Sequence, residues 1–274
     1  MQTLKDKVAV ITGAGSGIGR ALAIQLANEG SKLALNDWNE QALQLTVEMV
    51  EKQTEVLAKA YDVSDKSSVY AFAQSVADHF GQIDIVVNNA GIAIEQRKVN
   101  RTDFDYYEKV LAVNLWGVIY GTKAFLPHLE IRPEASLVNI SSIFGIVGQP
   151  LQAPYVISKF GVRGFTETLR NETRNSNLAI TCVHPGGIRT NIVRNIEAKH
   201  EARHDKFTKA FDKMARTTPE SAAQQIVNAI KKKKSRLLIG SDAKGMDFLA
   251  RLFPSWYDKI VYRKLDLDRL AVRD

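Results

Sequence analysis

The chain has 274 residues, of which 45% are hydrophobic, 8% aromatic and 24% charged; this profile excludes disordered and collagen-like chains. That length suits a single doubly wound α/β sheet without a second domain. Net charge is +7 and uneven, with 18 Lys and Arg against 19 Asp and Glu over 1–190, then 19 against 11 over 191–274. A basic C-terminal part without an aromatic-interleaved platform reads as a solvated helical face, so no nucleic-acid partner is expected.

In chain order, Val8–Thr12 is apolar, too short for a signal peptide, and leads into a motif, so it reads as a strand. Further strand-like runs are Lys32–Asn36, Val56–Tyr61, Ile83–Asn88, Ser136–Ser141, Ile180–His184 and Arg236–Ile239. Helical periodicity marks Ile18–Glu29, Gln41–Lys52, Lys66–Phe80, Phe104–Leu129, Tyr155–Asn175 and Pro219–Lys232 between them. Such alternation predicts an α/β fold: a parallel sheet of about seven strands with helices on both faces. No stretch approaches the ~18 apolar residues of a membrane span, and the expected location is cytoplasmic. The lone Cys182 excludes an internal disulfide and reads as a small buried strand residue. Lys231–Lys234 ends a helix, where cations complement the dipole. Two parts fall outside the core at about 4–240, or interrupt it: a polar insertion at 191–216 and a C-terminal extension at 245–274.

The first strand ends in Thr12-Gly13-Ala14-Gly15-Ser16-Gly17-Ile18-Gly19. A strand, a glycine-rich turn and a helix N-terminus make a pyrophosphate site, because glycines let the backbone approach the anion and the helix N–H groups point at it. The spacing is G-x-x-x-G-x-G over Gly13, Gly17 and Gly19, not the common G-x-G-x-x-G. The second strand ends at Asp37. Its carboxylate suits ribose hydroxyls and repels a 2′-phosphate, so NAD is favoured over NADP.

Tyr155 and Lys159 are four apart on a helical segment and share one face. They follow a strand end carrying Ser142, and Asn88–Gly91 and Asn114 precede them. With Asp62-Val63, Pro185-Gly186 and Thr190 in the same order, this set resembles the short-chain dehydrogenase/reductase family, over about Leu4 to Gly240. The resemblance implies a Rossmann-type fold and a tetrad of Asn114, Ser142, Tyr155 and Lys159. It further implies that Asp62 and Val63 hold the adenine, that Asn89, Ala90 and Gly91 floor the cofactor, and that Ile188 and Thr190, after Pro185 and Gly186, contact the nicotinamide carboxamide. Asn114 would order a proton-relaying water. Gly187 is a departure from the family pattern.

The chemistry has its own logic. Oxidising an alcohol needs a base, and a free phenol with a pKa near ~10 is a poor one at neutral pH. An ammonium one turn away favours the phenolate, and a serine hydroxyl beside the substrate oxygen stabilises developing charge. Ile94, Ile143, Phe144, Val147 and Gln152 are expected on the substrate side, suggesting a lipophilic alcohol or ketone; Arg194, Lys199, Arg203 and Lys206 favour an anionic one instead. No metal is expected, since the i, i+4 pair His200 and His204 lies on a basic polar stretch. His184, before Pro185, has room for an orienting role. The resemblance implies a homodimer or homotetramer. Met246–Val261 is apolar and is read first as a subunit contact, then as a pocket cover, then as a membrane contact. The alternatives to an oxidoreductase are a non-catalytic NAD-binding sensor or scaffold and another Rossmann-type enzyme such as a methyltransferase.

Overall fold

The computed structural model describes residues 1–190, 192–194, 196, 208 and 215–263. Most of the 191–216 insertion, with His200, His204, Lys199, Arg203 and Lys206, lies outside the described residues, as does 264–274. The expected strands all form: β1 Val8–Thr12, β2 Lys32–Asp37, β3 Val56–Ala60, β4 Ile85–Asn88, β5 Ala135–Ile140, β6 Leu178–Pro185 and β7 Arg236–Ile239. They make one parallel sheet in the order β3-β2-β1-β4-β5-β6-β7. β4 starts two residues later than its apolar run, because the buried Asp84 carboxylate takes the Val8 N–H at 3.0 Å.

Strand side chains alternate between two cores, as a period of two requires. Ala9, Ile11, Leu33, Leu35, Ile85 and Val87 face one layer. There they meet Leu22 and Leu26 of α1 (Gly17–Asn28) and Ile226 and Ile230 of a helix at Pro219–Lys231. Val8, Val10, Ala34, Val86 and Leu137 face the other, against Phe72 of α3 (Lys66–Phe80), Phe125 and Leu129. Between these helices α2 spans Glu40–Val50. Truncating one such leucine to alanine costs about 2–5 kcal/mol. Local chemistry sets the helix ends: Asn39 and Asp65 accept the Ala42 and Ser67 N–H groups at the starts of α2 and α3, and Gly81, at φ 70°, closes α3.

The segment expected as one helix over Phe104–Leu129 is α4 (Phe104–Leu111), a π-helical turn at Ala112–Trp116 and α5 (Gly117–Glu130). Together these 27 residues, with mean hydropathy 1.2 in their most apolar stretch, meet the length and composition minimum of a membrane span, contrary to the sequence expectation. Their buried residues Gly121, Ala124, Phe125 and Leu129 pack toward α3, β4 and β5, as a core helix does. α6 (Ala153–Glu172) carries Tyr155 and Lys159; α7 is Pro219–Lys231, with Thr218 accepting the Ser221 N–H at its start. After β7 come α8 (Ser241–Leu252) and α9 (Tyr257–Tyr262). Cys182 is buried in β6, its thiol pushed up to about 12 by burial. In the basic run, Lys231 pairs with Glu29 at 2.6 Å and Lys233 with Glu134 at 2.7 Å.

Candidate active site

In the order 3-2-1-4 the sheet grows to one side of β1 and then to the other, while β1 and β4 stay parallel, so a crevice opens at the carboxyl ends of these strands. The glycine turn lies there. Gly13 and Gly17 adopt φ of 66° and 53°, conformations that a side chain disfavours. A Cβ on Gly13 would stand 2.8 Å from Ala90 Cα, and one on Gly19 would overlap the Gly13 carbonyl. Asn89 ties the turn to β4: its side-chain amide donates to the Thr12 and Gly13 carbonyls at 2.9 and 3.1 Å, while Thr12 Oγ1 accepts from the Asn89 and Ala90 N–H groups. α1 begins at Ser16 without a side-chain cap or an acidic first turn, so its positive end faces outward uncompensated by its own residues. Bare backbone on a tight turn and an open helix start fit a diphosphate.

Asp37 ends β2 beside this turn. Its carboxylate accepts the Gly15 N–H at 2.8 Å and the Asn39 N–H at 2.9 Å. A Cβ on Gly15 would meet that carboxylate at 2.8 Å, so glycine is required for their approach. Arg20 lies against the same turn, donating to the Gly15 and Ala42 carbonyls and to Thr46 Oγ1 at 3.0 Å. Asp62 is exposed after β3 and accepts the Ser64 N–H, whereas Val63 is buried against Gly117.

Asn114 sits in the π-helical turn, fully buried. Its side chain accepts the Ile92 N–H at 2.8 Å, donates to the Ile92 carbonyl at 2.9 Å, and donates to Ser158 Oγ at 3.2 Å. A Cβ on Gly91 would lie 3.3 Å from Asn114 Oδ1 and 3.4 Å from Lys159 Nζ, so these two groups converge above Gly91. α6 approaches β5 closely at Gly145, where a side chain would overlap Ser141 Oγ; that hydroxyl donates to the Lys159 carbonyl at 2.8 Å.

Lys159 is 3% exposed and donates from Nζ to the Ile140 carbonyl at 3.0 Å. Its Nζ lies 5.6 Å from the centre of the Tyr155 ring. Burial drives the Lys159 pKa from 10.5 down to about 8. Burial likewise raises the Tyr155 phenol, opposed by the nearby Ser142 hydroxyl. Without a bound cofactor, burial is the larger influence on the phenol, which lies above its ordinary range. Ser142 Oγ also accepts the Phe144 N–H at 3.1 Å, and the Phe144 ring meets Tyr155 edge-on with centroids 6.4 Å apart.

On the substrate side, Ile94, Ile143 and Val147 are buried, and Gln152 donates from its amide to the Ile94 carbonyl at 3.1 Å. Gln152 thus clips the loop after Gly91 onto α6. After β6, Thr190 packs beside Gly17, where a Cβ would stand 3.1 Å from Thr190 Cγ2, and Ile188 is buried. His184 is fully buried, and its Nδ1 lies 3.0 Å from the Ser142 carbonyl. A carbonyl only accepts, so Nδ1 carries the proton. Burial lowers the His184 pKa to about 4, leaving the ring neutral.

A profile described as short chain dehydrogenase matches residues 7–201. A Mycobacterium tuberculosis protein, SadH, to which oxidoreductase activity is attributed, is 43% identical over 265 residues, spanning 95% of this chain and 96% of its own. The chain belongs to the short chain dehydrogenase family. The levodione reductase of Leifsonia aquatica is 36% identical over 193 residues, 69% of this chain and 72% of that one. A crystal structure of a short chain dehydrogenase from Burkholderia phymatum in complex with NAD superposes with a TM-score of 0.85, at 27% identity over 97% of this chain and 98% of that one.

Sequence alone gave no role to the residues that hold the expected ones in place in this short chain dehydrogenase. Asn88 donates to Thr122 and Asn139, and Asn139 to Thr166, a buried polar ladder across the strand ends. A side chain on Gly121 would overlap Asn88 Oδ1. Polar residues at the ends of apolar strands were the available signal.

Proposed function

We propose that this short chain dehydrogenase transfers hydride between NAD(H) and a lipophilic secondary alcohol or its ketone, with Asn114, Ser142, Tyr155 and Lys159 as the catalytic residues. The observation that carries the reading is the gathering of Ser142, Tyr155 and Lys159 at the strand ends next to the glycine turn, with Lys159 Nζ 5.6 Å from the centre of the Tyr155 ring and bonded to the Ile140 carbonyl beside Ser142. A bound nicotinamide supplies or accepts the hydride and, when oxidised, brings a positive charge to the cleft. As phenolate, the form that the Lys159 ammonium and that added positive charge favour, Tyr155 takes the proton from the alcohol oxygen, and Ser142 donates to that oxygen as charge develops. Lys159 has two donors beyond its bond to Ile140, enough to hold a ribose hydroxyl and pass a proton onward. The Asn114–Lys159 gap above Gly91 suits a relay water.

Asp37 at the turn supports NAD over NADP, and the apolar surroundings of Ile94, Ile143 and Phe144 support a lipophilic substrate. Phe104, Trp116, Ile157 and Phe160, exposed on α4, the π-helical turn and α6, support self-assembly through these helices. The test is Tyr155→Phe in a screen of alcohols and ketones read by cofactor absorbance. Turnover falls at least about 10²-fold while NADH binding persists. Undiminished turnover refutes the assignment, and faster use of NADPH than NADH refutes the role of Asp37.

A further inference from the structure

The helices after β7 are bonded to the loops that follow β5 and β6. In the first turn of α8, the Asp242 carboxylate accepts the Gly187 N–H at 2.6 Å. Gly186 and Gly240 crowd the same carboxylate so closely that a Cβ on either would overlap it. A Cβ on Gly187 would itself stand 3.1 Å from Ala215 Cα. Two successive glycines make a loop with large conformational freedom, which an external restraint must remove. A charged acceptor on a backbone N–H is among the stronger hydrogen bonds available for that purpose.

The loop after β5 meets the same extension. The Gly148 N–H donates to the Tyr257 hydroxyl at 3.2 Å, and the Tyr262 hydroxyl donates to Gln149 Oε1 at 3.2 Å. Ile143 and Val147 share a small buried cluster with Ala243, against which Met246, Ala250 and Tyr257 pack. α8 is in turn anchored to the sheet edge: Asp247, 4% exposed, pairs with Arg236 of β7 at 2.5 Å.

We propose that Ser241–Arg263 is an internal brace for the active site, in which Asp242 positions the Pro185–Thr190 loop for the cofactor and Tyr257 positions the Ser142–Pro150 loop for the substrate. This rests on the hydride-transfer reading for what the loops contact, but the brace itself is measurable without it. Neither residue touches the reacting atoms; both act through backbone.

The experiment compares the full-length wild type with Asp242→Ala, Asp242→Asn and Tyr257→Phe. Amide hydrogen exchange on the free proteins comes first. Asp242→Ala speeds exchange about tenfold in the segment containing Gly187 and leaves Gly148 unchanged; Tyr257→Phe does the reverse. NADH titration by fluorescence and steady-state kinetics follow. Asp242→Ala weakens NADH binding about tenfold with substrate KM unchanged at saturating cofactor, and Asp242→Asn, which keeps an acceptor oxygen, recovers most of the loss. Tyr257→Phe raises substrate KM severalfold at unchanged NADH affinity. Exchange that rises equally in both segments, or binding and KM that shift together with the thermal midpoint, overturns the brace in favour of general stability. Wild type that fails to bind NADH sinks the hydride-transfer reading instead, and the exchange result still decides the brace.

Discussion

Lys159→Met is expected to make the protein more stable while removing its turnover. Met matches the length of the lysine stem without its charge. At pH 7 the lysine is protonated both folded and unfolded, and the folded state holds that charge at a site 3% exposed. A pKa moved from 10.5 to about 8 by burial corresponds to about 3 kcal/mol of destabilisation. The lost hydrogen bond to the Ile140 carbonyl returns about 1 kcal/mol of that. The net gain of ~2 kcal/mol raises the thermal midpoint by roughly 4 °C for a chain of this size. The gain shrinks with pH in a definite window. Between about 8 and 10.5 the unfolded chain keeps the lysine proton that the folded protein has released. Wild-type stability therefore climbs with pH relative to the variant, and the gap closes near the upper limit. Thermal unfolding of both proteins at pH 7 and 10.5 is the assay. A variant that melts below wild type at pH 7, or a gap independent of pH, refutes the reasoning.

Three further outcomes follow from named contacts. Asp37→Ala loses the acceptor of the Gly15 and Asn39 N–H groups, so it lowers stability by about 2 kcal/mol in thermal unfolding. It also weakens NADH binding about tenfold in fluorescence titration and narrows any preference over NADPH. Gly91→Ala places a methyl between Asn114 Oδ1 and Lys159 Nζ; kcat falls about tenfold or more, with KM for the cofactor raised as well, in steady-state kinetics at saturating substrate. His184 contributes stability that is present above pH 6.5 and lost as pH falls toward 4, because the unfolded ring takes up its proton first. The loss reaches about 3 kcal/mol, and His184→Phe flattens it in denaturant titrations run across that range.

The middle of the sheet was legible because β1, β4 and β5 are short apolar runs rich in β-branched residues, and burial on both faces of a parallel sheet demands that composition. The glycine turn and the Tyr155–Lys159 spacing were legible because they depend on local geometry. What escaped depends on contacts between distant segments. Nothing near Gly187 announces that a carboxylate 55 positions later holds its N–H, so the extra glycine looked like a departure and is in fact a close-approach site. Desolvation at Tyr155 escaped for the same reason: spacing places the lysine but says nothing of how much water remains around the phenol.

The π-helical turn at Ala112–Trp116 has an implication for how the chain tolerates change in length. One residue in an α-helix is worth about 100° of rotation, so everything downstream of the widened turn is rephased relative to α4. Excising a single residue there would return the winding to α with Gly121 and Phe125 still on the sheet, while Asn114 would lose its place against Ile92. The stretch can thus shed a residue without unseating α5, but not without releasing the loop that Asn114 holds.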